Sequence, residues 1–600
     1  MATGATASNC SVGINDPMLA NPMARGGEHL GEFAASCQGE EGPLINMKLR
    51  LTLLPALLGV LFAVPAIAGA TWSVVDFGAK GDGRTLDTPA VNAAIEAASK
   101  SGGGTVDFPA GEYLCYTIHL RSHVTLHLGS GATLIAANPP APGTSGGYDA
   151  PEPNEWSQFQ DFGHTHWHNS LISGENLEDV CIIGPGRIFG RGLSRGNGRI
   201  SLPMGAESNN DLADVLAAEG EIDAPPRPDL VPGPFGYPNA RDTLSAGVGN
   251  KAIALKNCRN VVLRDFTVLH GGHFGILATG VDNLTIDNLL IDTNRDGMDV
   301  DACSNVRISN CSVNSPWDDG ICLKSSHGLG IARITENVTI TNCFVSGYDE
   351  GTLLDGTRLR RIRHRGGPTG RIKFGTEAGG GFRNIVVSNC VFDYCRGLAL
   401  EQVDGGVLED VAISNLTMRD ISNAPIFIRL GARLRRPGAV DPGVVRHILI
   451  ENVVADNVAA DQGILIAGLP GHPVEDVVLA GLQIHFSGGG AREQGLRVVP
   501  ELEKAYPEPG SFGFLPSWGI FARHVRNLQI RNLELRVKAP DARTAAWLED
   551  ARDVRLADVV LSGPASPPYW SLKQVAGLKV RDAAGLPDGE YPETGAAAPK

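Results

Sequence analysis

The chain has 600 residues, 42% of them hydrophobic and 20% charged, with Gly 75, Pro 38 and a formal net charge of −15 at pH 7. That apolar fraction supports a real core and excludes a disordered chain. The acidic balance excludes general binding to nucleic acid or to an anionic membrane. Cys 11, without the tight pair spacing of a metal ribbon, is no disulfide scaffold.

Residues 47–70 read as a secretory signal: Met47, then Lys48 and Arg50, an apolar run from Leu51 to Val64, and Ala66-Ile67-Ala68. The apolar run is too short for a membrane span. Cleavage near Ala68 or Ala70 and a secreted or periplasmic location are expected. Residues 1–46 have no periodicity and read as a mis-assigned start, with a disordered leader as the alternative. Residues 71–585 are expected to form one domain, and 586–600 a disordered tail.

The domain opens with Trp72-Ser-Val-Val-Asp-Phe-Gly-Ala-Lys-Gly-Asp-Gly83, a short strand and a Gly-rich turn. Asp87 or Thr88 as N-cap and Pro89 in the first turn predict a helix through Val91–Ala98, stopped by Gly102-Gly103-Gly104. One amphipathic helix ahead of many strands predicts a cap over the open end of a sheet stack. Beyond it the pattern is strands and turns. A repeat stands out at Asn260, Asn283 and Asn305, and again at Asn337 and Asn384, each Asn followed by alternating apolar residues. Its length, 22 to 23 residues before loops intervene, predicts an all-β fold: a parallel β-helix, right-handed, with an N-terminal capping helix. The Asn is expected at a turn, in left-handed backbone, stacking as a ladder. Cys311, Cys343 and Cys390 share one place in the repeat and read as stacked thiols, with a bridge between coils left open.

Three insertions break the register, at 136–168, 202–245 and 350–370. Long loops on a solenoid gather where they shape a binding cleft. His164, His166 and His168 read as rim or surface positions rather than metal ligands. The basic run from Arg358 to Arg365 reads as a solvated loop that could reach a carboxylated sugar.

The chemistry concentrates between Asn294 and Lys324, which holds Asp296, Asp299, Asp301, Asp318 and Asp319 in two consecutive repeats. Asp296 and Asp318 are 22 residues apart, so they are expected one above the other on adjoining coils. Coils stack about 4.8 Å apart, and carboxylates that close raise one another's proton affinity. An acid beside an ionised base results, and three aspartates over two coils could span the ~6.5–9.5 Å of an inverting glycosidase. An Asp ladder satisfying turn amides and a calcium site are the alternatives.

At these residues the chain resembles glycoside hydrolase family 28, the polygalacturonases and rhamnogalacturonan hydrolases. The likeness runs over most of 72–430, through Leu171-Ile-Ser-Gly-Glu-Asn-Leu-Glu-Asp179 and Gly184-Pro-Gly-Arg-Ile-Phe-Gly190. The family's Asn-Thr-Asp motif matches Asn294-Arg295-Asp296, and its Asp-Asp motif matches Asp318-Asp319. The resemblance implies hydrolysis of α-linked galacturonosyl bonds in pectic polysaccharide or oligosaccharide by single-step inversion. One of Asp318 and Asp319 would be the general acid, and Asp296 with the other the base. It implies no cofactor and no metal, and a monomer is expected. Two motifs depart from the family pattern. The Gly-His-Gly position is met only by Ser326-His327-Gly328, eight residues after Asp319. Arg371-Ile372-Lys373 carries the letters of the carboxylate-gripping Arg-Ile-Lys one coil early, where Glu401 stands one coil on. Asn294, Arg295, Arg371, Lys373, Glu401 and His327 are therefore the candidate substrate contacts of a divergent branch, and Trp317, Trp518 and Tyr394 are candidate sugar platforms. The inserted loops would favour exo-action. A calcium-dependent β-helix polysaccharide lyase and a non-catalytic carbohydrate-binding β-helix are the competing readings.

Overall fold

Short apolar runs separated by left-handed turns force the chain to close a coil every few strands. The computed structural model describes residues 70–141, 143–160, 163–194, 245–361, 367–565 and 568–594. Its 36 strands form one continuous sheet. The strands Lys251–Lys256, Phe274–Thr279, Asp296–Asp301 and Ile321–Ser325 pair in parallel, each with the next coil's equivalent. Ile372–Ala378, Leu398–Gln402, Ile426–Leu430 and Ile464–Ala467 continue the same face. This is the parallel β-helix the repeat predicts.

Alternation along each strand divides inside from outside. Ile253 and Leu255, Ile276 and Ala278, Met298 and Val300, and Ile321 and Leu323 enter one core that runs along the solenoid. The residues between them, Ala254, Leu277, Asp299, Cys322 and Lys373, stand in one register row on the other side.

The turns explain the recurring Asn. Asn260, Asn283, Asn305, Asn337 and Asn384 all have φ between 54° and 59°, a conformation Asn tolerates better than other side chains. Their amides bond up the stack, from Asn283 Nδ2 to Asn260 Oδ1 at 2.9 Å and from Asn384 Nδ2 to Asn337 Oδ1 at 2.7 Å. Cys311, Cys343 and Cys390 are free, buried thiols, each donating to the carbonyl two residues earlier, Ser309, Thr341 and Ser388, at 3.2 to 3.3 Å.

Both described ends of the sheet are covered. At the first, the helix Thr88–Lys100 buries Val91, Ala94, Ile95 and Ala98 and packs on Thr71–Ser73, Gly104–Phe108 and Ile118–His119. Asp87 precedes it, but its carboxylate makes no capping bond. It accepts instead from the backbone N–H of Lys80 at 2.7 Å and Gly81 at 3.0 Å, pinning the Gly-rich turn. At the other end Gly589–Thr594 pairs antiparallel with Trp570–Ala583. The tail expected from 586 is thus a strand as far as Thr594, because this hairpin satisfies an otherwise open edge.

The leader 1–46, the signal segment up to residue 69, residues 595–600 and all but the last residue of the 202–245 insertion lie outside the described residues. Among those described, no helix is long and apolar enough to cross a membrane.

Candidate active site

Successive residues of a strand face opposite ways, so a carboxylate cluster needs a break in the pleat. Gly297 and Gly320 supply it. A Cβ on Gly297 would stand 2.3 Å from Val313 Cγ1 and 2.5 Å from the Gly320 carbonyl oxygen. The coil around Asp319 is one residue longer than a 22-residue repeat: Met298 pairs with Ile321, a step of 23. The bonds Gly297 N–H to Asp319 O and Met298 N–H to Gly320 O, both 3.0 Å, therefore set Asp319 beside Asp296. The expected stacking of Asp318 on Asp296 is displaced by one place, because the Pro316-Trp317 turn takes up the extra residue. Asp318 meets Arg295 instead, whose Nη2 donates to Asp318 Oδ2 at 2.7 Å.

One oxygen from each of Asp296, Asp318 and Asp319 lies within 4.8 Å of the others. That is tighter than the water-sized gap expected between acid and base, and it couples the three carboxyls strongly. Burial and then the carboxylates of Asp299 and Asp318 push the Asp296 carboxyl well above the usual range. Burial also opposes ionisation of Asp319, but Lys373, Arg371 and Lys324 outweigh it and hold that carboxyl well below the usual range. Arg371 Nε donates to Asp319 Oδ1 at 2.8 Å, and Lys373 Nζ stands 3.2 Å from Oδ2. One carboxyl is poised to hold a proton and one is fixed as an anion. Asp318, with its side chain 26% exposed against 5% for Asp296 and 2% for Asp319, is the one open to the outside.

The expected substrate contacts divide. Asn294 is buried, and its carbonyl accepts from Trp317 N–H at 3.0 Å. Arg295, Arg371 and Lys373 are also buried and serve the aspartates. Glu401 is fully buried and 3.6 Å from Lys373 Nζ, with no hydrogen bond to either oxygen. It does not reach the surface where a sugar would touch it, because its coil places it under the cation of the preceding one. Burial pushes the Glu401 carboxyl up to about 7. His327 lies at the rim, edge-on to Trp156 at 4.9 Å and to Phe159 at 6.0 Å, its N–H bonded to Gln160 Oε1 at 2.9 Å. Trp518 is fully buried in the core, edge-on to Phe486, and offers no sugar platform. Trp317 and Tyr394 are half-buried.

The insertions behave differently from one another. His168 Nε2 bonds Glu175 at 2.7 Å and His166 Nδ1 bonds the Glu152 carbonyl at 2.9 Å, so these two are structural. His164 is buried, not at the rim, with Nε2 3.0 Å from Asp299 Oδ2. Burial and Lys324 press its pKa down, yet Glu377 and Asp299 together raise it. Of the basic run, Arg360 holds Asp393 at 2.8 Å and Asp420, and Arg361 holds Asp349. Those two charges are spent within the fold, and residues 362–366 lie outside the described ones.

Three site features went unread in the sequence. Asp299 is joined to His164 and to Lys324, whose Nζ is 3.7 Å from it and 3.2 Å from Glu377. These residues come from separate coils and a loop, so no local motif links them. The third is the segment 487–516 between the strands Val474–Phe486 and Ser517–Val537. It is fastened by Phe512 and Leu515 to Phe427, Leu465 and Phe521. It brings Glu508 to Arg371, whose Nη1 and Nη2 donate to Glu508 Oε1 and Oε2 at 3.2 and 2.8 Å. Tyr506-Pro507-Glu508-Pro509 reads only as an irregular loop from its letters.

Two family descriptions match: "Right handed beta helix region" over residues 251–433, which gives the hand of the coil, and "Rhamnogalacturonase A/epimerase, pectate lyase-like" over 71–154. The exo-poly-alpha-D-galacturonosidase of Dickeya chrysanthemi is 23% identical over 395 residues, 61% of this chain and 58% of that one. A probable polygalacturonase of Vitis vinifera is 25% identical over 369 residues, 58% of this chain and 60% of that one. The chain thus spans about three fifths of the length of these curated relatives. The family 28 exopolygalacturonase structure of Yersinia enterocolitica matches with a TM-score of 0.52 and 19% identity, covering 86% of this chain and 79% of that one, a likeness of fold. The chain is thus similar in sequence, at 23% and 25% identity, to an exo-poly-alpha-D-galacturonosidase and a probable polygalacturonase, and its β-helix shares the fold of a family 28 exopolygalacturonase.

Proposed function

We propose that the protein is a glycoside hydrolase that cleaves α-linked galacturonosyl bonds in pectic polysaccharide or oligosaccharide. The observation that carries this reading is the carboxyl trio within 4.8 Å, one member pushed toward the protonated form and another held ionised. Asp296, pushed toward its protonated form, holds a proton within 4.8 Å of Asp318. Asp318, the exposed member, passes it to the departing glycosidic oxygen as the bond breaks. Water attacks the anomeric carbon from the opposite face and gives its proton to Asp296, which returns the pair to its starting state. Asp319, fixed by Arg371 and Lys373, supplies a negative charge for the positive charge that develops on the sugar. A single displacement of this kind inverts the anomeric centre, and it requires the attacking water to stand beside Asp296 outside the 4.8 Å span of the nearest carboxylate oxygens.

The reading predicts that Asp318→Asn lowers hydrolysis of polygalacturonate or rhamnogalacturonan oligosaccharides by roughly 10²–10⁴-fold. The assay counts new reducing ends, and proton NMR of the first product should show the inverted anomer. Wild-type activity in Asp318→Asn, or a retained anomer, would sink the mechanism. Loops on two sides favour exo-action: the 136–168 insertion through His164 and Trp156, and the 487–516 segment through Glu508. Early release of mono- or disaccharide rather than a ladder of lengths is the expected product pattern.

One observation favours a second reading. Three carboxylate oxygens within 4.8 Å suit a divalent cation, and a calcium-dependent lyase would use one. Here Arg295, Arg371 and Lys373 already stand against these carboxylates. Hydrolysis is expected to be insensitive to chelator and to leave no ultraviolet absorbance from an unsaturated uronate. A chelator-sensitive rise in that absorbance would transfer the assignment to the lyase. Export through the 47–70 segment belongs to the same proposal, and N-terminal sequencing of protein from the extracellular or periplasmic fraction should begin near Gly69 or Thr71.

A further inference from the structure

Glu508 occupies the most completely built carboxylate-binding site of the cleft. Arg371 grips it in the two-pronged manner guanidinium uses for carboxylates, with donors at 3.2 and 2.8 Å. Arg396 Nη1 lies 3.2 Å from Oε1, and Asn423 Nδ2 donates to the same oxygen at 3.1 Å. Arg371 is also the residue that holds Asp319. A carboxylate of the chain itself therefore lies one side chain away from the catalytic trio, in the position where a cation pair would otherwise meet a uronate.

Beyond Glu508 opens a cavity of about 430 Å³, lined among others by Arg396, Asn423, Asp461, Gln462, Glu508 and Phe514. Its place in the fold makes it part of the same cleft. Arg396, Asn423 and Gln462 lie just ahead of the strands Leu398–Gln402, Ile426–Leu430 and Ile464–Ala467, as Arg295 lies just ahead of Asp296–Asp301. These strands stack in register. The Arg396 coil is the second past that of Asp319, roughly 10 Å along the solenoid. Amides, carboxylates and a partly exposed aromatic ring are the groups that hold the hydroxyls and apolar face of a sugar. Two carboxylates and a guanidinium already engaged by one of them leave no excess positive charge for an anion.

We propose that this cavity is a subsite for an uncharged sugar residue, and that Glu508, seated on Arg371 and Arg396, excludes a uronate from it. The inference rests on the reading of the cleft as sugar-binding and goes beyond it by naming the neighbour of the cleaved galacturonosyl unit. A carboxylated residue at this place would have to expel Glu508 from both guanidinium groups and then face Asp461. A neutral hexose need only fill the cavity and bond the carboxylates. Exclusion by a misplaced like charge is a common source of specificity.

The test is calorimetric binding of two probes that differ only at C6, methyl α-D-galactopyranoside and methyl α-D-galactopyranosiduronate, in the Asp318→Asn background. The parent is expected to bind the galactoside more tightly by about tenfold or more, and Glu508→Ala to reverse that order. Glu508→Gln keeps the shape without the charge and should move the ratio in the same direction, which separates charge from a disturbed loop. Phe514→Ala should weaken the galactoside alone. A parent that prefers the uronate, a parent that binds neither sugar, or a ratio unmoved by both Glu508 variants overturns the proposal. Hydrolysis by the wild type is read separately, so the hydrolase reading and the subsite can each fail without the other.

Discussion

Asp296, Asp318 and Asp319 show how position on two consecutive coils assigns different work to identical side chains. Asp296 is pushed toward its acid form by burial and by its carboxylate neighbours, whereas Asp319, equally buried, has Lys373 and Arg371 and stays charged. In the proposed mechanism hydrolysis requires the proton of Asp296, so the rate should fall as pH rises through the elevated pKa of that carboxyl. Lys324 is one of the cations that pull the Asp296 pKa down. Lys324→Met should therefore raise it further and move the alkaline limb of the pH–rate profile to higher pH, with Asp319 still ionised throughout. Glu401 gives a stability prediction of definite sign. Its carboxyl goes from an ordinary 4.5 to about 7 in the fold. Below pH 4.5 both states keep the proton. Between 4.5 and 7 the unfolded chain releases it while the native one holds it, so native stability declines with rising pH, in total by roughly 3 kcal/mol. Glu401→Gln should match the wild type near pH 4.5 and exceed it in urea unfolding at pH 8, by up to about that amount.

Among the elements, the 487–516 segment is the one on which the cleft's character depends. Its attachment is apolar: Phe512 is 1% exposed and meets Phe427 edge-on at 6.4 Å. Truncating a buried Phe costs about 3–5 kcal/mol, more than a loop with so few anchors can lose without local opening. Phe512→Ala should leave the solenoid's melting nearly unchanged while raising amide exchange across 500–516 and freeing Arg371 from Glu508. If exchange there stays at wild-type levels, the apolar anchor is not what seats the loop. The capping helix makes the contrast. Its apolar stripe at Val91, Ala94, Ile95 and Ala98 was visible in the letters because helical spacing is local. Phe512 and Leu515 read as loop residues because their partners lie in strands up to 85 residues earlier.

For the whole molecule, stability is a chain of nearest-neighbour coil contacts, and the two ends are its vulnerable points. The strand Gly589–Thr594 closes the last edge through antiparallel pairs such as Leu578 with Tyr591. Ending the chain at residue 585 would bare the N–H and C=O row of Trp570–Ala583. That truncation should drive concentration-dependent association, visible by light scattering, with the spectrum of folded β structure retained. A monodisperse truncated chain would show that the hairpin is dispensable.

The coil was legible because its causes are periodic and short-range. An Asn that accepts left-handed backbone, followed by alternating apolar residues, repeats at 22 to 23 places and admits few other folds. The trio of aspartates was legible for the same reason, since consecutive repeats must be neighbours. Their relative placement was not, because one extra residue in the Pro316-Trp317 turn moves Asp318 onto Arg295 and Asp319 beside Asp296. Which cations hold which carboxylate depends on pairings across coils, 23 residues apart for Arg295 with Asp318 and 52 for Arg371 with Asp319. The meetings of His164 with Asp299 and of Glu508 with Arg371 depend on loops returning over 135 and 137 residues. The sequence by itself determined the solenoid and the carboxylates of its chemistry. Tertiary structure alone decided their protonation and the charge lining the cavity beside them, because both follow from burial and from partners that no local spacing records.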